Sequence, residues 1–172
     1  MSRLSALGLL ALVLACSTGV ARPPTDEDQP ALAAPARAGY EPVADALILT
    51  CGTLDCHGQR GRNLRLFGNH GLRLAARDDP GGLPTNAAEY DADYWSLIGL
   101  EPETLDLVMR TRGADPELLS LFRKPRGSDD HKGGAVMTPQ DPLDRCLRSW
   151  LAGTLDEDAC KAAGPQRPDS PQ

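Results

Sequence analysis

The sequence predicts a mostly α-helical domain with long loops, on three observations. Residues 142–152 carry Leu143, Cys146, Leu147, Trp150 and Leu151 at helical spacing, one continuous apolar stripe. Helix-start signals recur: Asn86 stands three residues ahead of Glu89, a capping-box spacing, and Pro102, Pro116 and Pro142 stand where a first helical turn tolerates proline. No run alternates apolar and polar residues as a half-buried strand would.

Taken in order, residues 41–50 place Val43, Ala46, Leu47 and Thr50 at helical spacing and lead straight into Cys51. Residues 60–75 are short glycine-broken pieces, expected as loop with an extended stretch. The next helix runs from Asn86 to Leu97, with Tyr90, Tyr94 and Leu97 on one face. Two more are expected near 102–112 (Leu105, Val108, Met109) and 116–123 (Leu118, Leu119, Phe122). In the clearest helix Asp141 is the N-cap, Asp144 favours the positive end of the dipole, and Gly153 stops the run. A last helix near 155–163 brings Cys160 back.

Around this domain the chain divides simply. Arg3 followed by the apolar run Leu4–Ala15 reads as a secretory signal peptide, too short to serve as a membrane span. Residues 16–39, rich in Ala, Pro and acid, are expected as a disordered linker, residues 40–163 as the folded domain, and residues 164–172 as a disordered tail. The formal charge of −6 argues against nucleic acid or anionic lipid as a partner. With two Phe, three Tyr and two Trp the core is modest, and such cores recruit a disulfide, a metal or a cofactor.

The sequence Val13-Leu14-Ala15-Cys16 resembles the lipobox of bacterial lipoproteins. That resemblance implies cleavage before Cys16, acylation of its thiol, and attachment to the cell envelope by lipid rather than by a crossing helix. Ser17 after the acylated cysteine fits sorting to an outer membrane, facing the periplasm.

The chemistry-bearing segment is Cys51-Gly52-Thr53-Leu54-Asp55-Cys56-His57-Gly58. Two cysteines with a histidine directly after the second is the arrangement that attaches a c-type haem, the thiols as thioethers and the histidine as proximal iron ligand. The usual gap is two residues; here it is four. By spacing alone, a local Cys51–Cys56 disulfide explains the segment as well. Exported cysteines rarely stay free, and the remaining two, Cys146 and Cys160, are expected to form a disulfide joining the last two helices. A Cys56–Cys146 bridge, which would exclude haem, is a further pairing. Zinc held by Cys51, Cys56, His57 and His131 lacks usual ligand spacing.

Downstream, Ser120-Leu121, Lys124, Gly127, His131 with Gly133 and Gly134, then Trp150-Leu151 and Gly153, resemble the end of the planctomycete-type cytochrome c domain. Upstream, Cys56-His57-Gly58 and Gly71-Leu72-Arg73-Leu74 resemble that family's attachment site and the segment after it. Lys132 replaces a family glycine, and the attachment gap is the chief departure. The resemblance covers most of residues 45–153 and implies a small cytochrome c-like helical domain with one covalent haem c. Its activity would be single-electron exchange with a redox partner protein rather than enzymatic turnover of a substrate.

Under that reading Cys51 and Cys56 attach the haem and His57 is the proximal ligand. The sixth ligand is His131, on the family's His-Gly-Gly position, or Met137, in a Met-Thr-Pro segment like that before the last helix of many cytochromes. His70 reads as a surface residue. Arg123-Lys124-Pro125-Arg126 reads as a solvated helix end or a partner for haem propionates, and Asp129-Asp130-His131 lacks the ligand count of a calcium loop. The alternative function is a non-haem structural or interaction lipoprotein on the same scaffold, with disulfides Cys51–Cys56 and Cys146–Cys160. No nucleophile elbow, phosphate loop or glycosidase carboxylate pair is present.

Overall fold

A computed structural model describes residues 31–78 and 83–163. The signal peptide, Cys16, most of the linker and the tail lie outside them. Six α-helices are present: α1 Glu41–Cys51, α2 Ala87–Ile98, α3 Pro102–Arg110, α4 Ser120–Arg123, α5 Pro142–Leu151 and α6 Glu157–Ala162. The described residues contain two isolated β-bridges, Thr53 with Gly71 and Phe67 with Leu72, and no sheet. The mostly helical fold class is therefore observed. No helix among the described residues is long and apolar enough to cross a membrane.

Each well-signalled helix begins where its cap directs. The Asn86 side chain accepts from the N–H groups of Ala88 and Glu89, and the Glu89 carboxylate takes the Asn86 N–H, completing the capping box. Asp141 accepts from the Asp144 N–H at 2.9 Å, and Asp156 accepts from the Ala159 N–H at 2.9 Å. The five apolar residues of the α5 stripe are all buried. Cys146 and Cys160 are disulfide-bonded, stapling α5 to α6. Helix α1 packs on α5, α6 and α2, and Thr50 on α1 donates its hydroxyl to the Ala163 carbonyl at 3.0 Å.

Three expectations change. The helix expected over 116–123 divides into a 3₁₀ turn, Pro116–Leu118, and the single turn α4, because Leu119 is extended (ψ 137°). Glu101 explains the break: its Oε2 accepts from the Ser120 N–H (2.7 Å) and hydroxyl (2.6 Å), capping α4 from outside. The end of the expected linker belongs to the domain. The Ala33 N–H donates to Asp106 Oδ1 at 2.8 Å, Tyr94 donates to the Pro35 carbonyl at 2.7 Å, and Arg37 pairs with Glu41 and Asp91. Tyr40, expected as the first folded residue, is instead a core residue, against Tyr94 and Trp150 at ring-centroid distances of 5.4 and 5.3 Å.

On α2, the face toward the protein also buries two acids, Glu89 and Asp93. Glu89 meets the buried Arg73 guanidinium at 2.8 and 2.9 Å and accepts the Leu74 N–H. Burial alone would raise the Glu89 carboxyl, but Arg73 and the backbone donors outweigh it and hold it below its ordinary range. Asp93 accepts the Phe67 N–H at 2.7 Å, and Ser96 accepts the Arg65 N–H at 2.8 Å. Helix α2 thus holds the loop that in turn holds the candidate site.

Candidate functional site: a cavity between two histidines

Cys51 is the last residue of α1, and the chain turns at once. The Cys56 and Gly58 N–H groups donate to the Thr53 carbonyl (2.9 and 3.0 Å), and the His57 N–H donates to the Cys51 carbonyl at 2.9 Å. The four intervening residues are absorbed as a turn, with Thr53, Leu54 and Asp55 exposed. The backbone closure lies between Cys51 and His57.

This turn has no room for side chains where it crosses residue 71. A Cβ on Gly58 would stand 2.1 Å from the Gly52 carbonyl oxygen, and one on Gly71 would stand 1.9 Å from the same atom. Both positions require glycine because backbone approaches backbone there. The Gly71-Leu72-Arg73-Leu74 segment therefore has two mechanical roles: Gly71 admits the Cys51–Gly58 turn, and Arg73 anchors to α2 through Glu89. Arg62 adds a third tie, donating to the Cys56 and Asp55 carbonyls at 3.1 and 3.4 Å.

Above the turn lies a cavity of about 860 Å³, within the range of cofactor-sized sites. Cys51, Cys56 and His57 line one side, and Lys124, His131 and Gly133 another. Its apolar wall is built from Leu47, Leu64, Leu100, Leu121, Leu143 and Leu147, drawn from α1, α4, α5 and the loops between.

The two imidazoles face each other with ring centroids 6.1 Å apart and planes inclined by 24°. His57 Nδ1 is 3.1 Å from the Leu64 carbonyl, and His131 Nδ1 is 2.9 Å from the Gly134 carbonyl. A carbonyl oxygen only accepts, so each Nδ1 donates, and Nε2 is the ring nitrogen left for another partner. A backbone carbonyl on the other ring nitrogen is the usual support of a metal-bound histidine.

The His131 loop is shaped for this. Gly127 (φ +75°) and Gly134 (φ +69°) turn left-handed, and a Cβ on Gly133 would stand 3.2 Å from His131 Cε1. Gly133 lets the ring lie flat over the backbone. Ser120, Lys124, Gly127, Gly133 and Gly134 each serve this wall.

The other nominated residues fall elsewhere. Met137 is 2 % exposed in the hydrophobic core and does not line the cavity. His70 is exposed, away from it. Arg123 and Lys124 line the cavity, Arg123 paired with Asp129 at 2.7 Å, whereas Arg126 pairs with Glu117 and Asp144 outside it. The segment read as a solvated helix end is thus divided between a cavity wall and an ion-pair cluster.

Cys51 and Cys56 are free thiols. The Cys51–Cys56 disulfide of the alternative reading is not formed, and Cys146 is already engaged with Cys160, which removes a Cys56–Cys146 bridge. Burial, with Cys56 close by, pushes the Cys51 thiol up to about 12, so it stays protonated. Burial likewise lowers His57, keeping its imidazole neutral at pH 7. No three His, Cys, Asp or Glu side chains among the described residues converge as a bare metal ion requires. That does not favour the zinc set or a cation at Asp129-Asp130-His131.

Comparisons of the chain with protein-family models, with curated proteins and with solved structures found no match.

Proposed function

We propose that this domain is a c-type cytochrome that holds one haem and passes single electrons. Cys51 and Cys56 would attach the macrocycle as thioethers, each S–H adding across a vinyl double bond so that no oxidant is consumed. His57 and His131 would hold the iron, and the leucines lining the cavity would enclose the group. The haem supplies the ferrous–ferric couple; two imidazoles and a mostly apolar wall set its potential. The observation that carries this reading is the His57–His131 pair, 6.1 Å apart, each Nδ1 committed to a backbone carbonyl, across a cavity edged by two free thiols. His131 is preferred to Met137 because it lines the cavity and Met137 does not.

The envelope location belongs to the same proposal: export, acylation at Cys16 and membrane attachment through the lipid. Labelled palmitate should be incorporated by the full chain and not by a Cys16→Ser variant.

The deciding experiment is expression in an exporting host with haem-attachment machinery, followed by an absorption spectrum and a haem stain on a denaturing gel. A coloured, low-spin protein that keeps its stain is expected; a colourless, unstained one refutes the reading. His131→Ala should abolish the low-spin spectrum while Met137→Leu preserves it, and the opposite pattern would assign the sixth ligand to Met137.

A further inference from the structure

Next to the cavity lies an open groove of about 500 Å³ lined by Arg60, Gly61, Arg62, Asn63, Arg65, Gly99 and Leu100. Three guanidiniums border it and no carboxylate does. That is unusual on this chain, where Asp and Glu outnumber Lys and Arg by 24 to 18. Elsewhere six arginines, Arg37, Arg73, Arg110, Arg123, Arg126 and Arg148, pair with carboxylates; Arg112 and Arg145 pair with no described carboxylate, but neither borders a groove with other arginines. The exposed side chains of Arg60 and Arg65 make no hydrogen bond or ion pair with any described residue. Holding like charges together without counter-charges opposes compactness, so the cluster suits an external anion.

The position is informative too. Gly61, Arg62, Asn63 and Leu100 line both the groove and the haem-sized cavity. A molecule seated on the arginines lies against the outer wall of that cavity. The groove is open and built from exposed side chains, without the enclosure that small-ligand sites have. Such a surface suits a broad, transient contact, the small interface typical of electron-transfer encounters.

We propose that Arg60, Arg62 and Arg65 form the docking surface for a redox partner that presents a carboxylate-rich face. This rests on the electron-transfer reading above. Guanidiniums bind carboxylates in bidentate fashion. The acidic remainder of the chain repels the same partner, so the charge pattern selects the docking orientation as well as speeding the encounter.

The test uses the full haem-loaded chain and an Arg60→Gln/Arg65→Gln variant, whose replaced side chains touch no described partner. Oxidation rates are measured with hexacyanoferrate(III), a trianion, and tris(phenanthroline)cobalt(III), a trication, at low and high ionic strength. Binding of poly-L-glutamate is measured by calorimetry, which needs no haem. At low salt the variant should lose roughly tenfold in the trianion rate, with the trication rate unchanged or faster, and the difference should shrink at high salt. Poly-L-glutamate should bind the wild type and not the variant. Unchanged trianion rates or unchanged poly-L-glutamate binding would overturn the docking surface while leaving the haem reading intact. A colourless protein that still binds poly-L-glutamate through these arginines would keep the anion-binding surface and remove the haem. Binding of an oligonucleotide or polyphosphate, but not of poly-L-glutamate, would also overturn the proposal.

Discussion

Replacing Asp93 with asparagine should make the domain more stable at about pH 8 and leave it nearly unchanged near pH 4. Asp93 is fully buried; its Oδ1 accepts the Phe67 N–H, while Oδ2 has no hydrogen-bond partner. Burial, reinforced by the Glu89 charge and opposed by the Phe67 N–H, pushes its carboxyl up from 3.8 to about 8. In the unfolded chain the same group ionises near pH 4, as aspartate ordinarily does. Below that pH both states hold the proton, and Asp93 contributes nothing to the pH dependence. As pH rises toward 8, the unfolded chain releases a proton that the folded chain keeps, so stability falls. The slope from this one group is at most about 1.4 kcal/mol per pH unit. Over the whole window that reaches several kcal/mol, comparable with a total stability of about 5–15 kcal/mol.

Asparagine keeps an oxygen for the Phe67 N–H and never ionises. Urea unfolding followed by far-UV circular dichroism, at unit pH steps from about 5 to 8, would measure both proteins. Their difference isolates Asp93, because Glu89 and Glu117 titrate in both. Those two work the other way: against some desolvation, their arginine partners hold them low, so they stabilise the fold above the ordinary carboxylate range and lose that effect in acid, the half-exposed Glu117 less than the buried Glu89. The variant's advantage should grow steadily with pH. An advantage that is flat, or that shrinks with pH, would refute the account of Asp93 as a carboxyl kept neutral by burial.

Three further perturbations test the frame of the site. Gly71→Ala would drive a Cβ to 1.9 Å from the Gly52 carbonyl, costing about 1–3 kcal/mol or more in thermal unfolding; a loss under about 0.5 kcal/mol would mean the turn yields freely. Replacing Cys146 and Cys160 together with alanine opens a bridge of sequence separation 14, lowering stability by about 3 kcal/mol in denaturant titration. Glu89→Gln breaks the buried ion pair with the Arg73 guanidinium, a loss of about 3–5 kcal/mol, whereas the joint Arg73→Met/Glu89→Leu change should recover most of it.

What could be read in advance divides along a physical line. Helices α2 and α5 announce themselves because their caps and apolar stripes are local: Asn86 with Glu89, and Asp141 ahead of Leu143, lie within one turn of each other. The disulfide between Cys146 and Cys160 was legible for a similar reason, both cysteines falling on neighbouring helices. The break before α4 was not, since its cause is Glu101, 19 residues upstream of Ser120. Nor was the burial of Glu89 and Asp93, whose partners Arg73 and Phe67 come from a loop without periodicity. At the site, His57 and His131 were nominated by position in a motif, but the choice between His131 and Met137 depended on which side chain meets the cavity. That depends on the loop geometry of Gly127, Gly133 and Gly134. The arginine groove left no signal in the sequence, because three arginines in a loop look the same whether or not acids face them.

If the proposed function holds, the closure of the Cys51–Gly58 turn changes how motifs of this kind should be searched for. The His57 N–H reaches the Cys51 carbonyl directly, so the residues between the cysteines hang outside the bond that places the histidine. The four-residue spacer of this chain is therefore accommodated without displacing the histidine. A search pattern that demands two residues between the cysteines would pass over such chains. One keyed to the glycines that the turn crosses, Gly58 and Gly71, would find them.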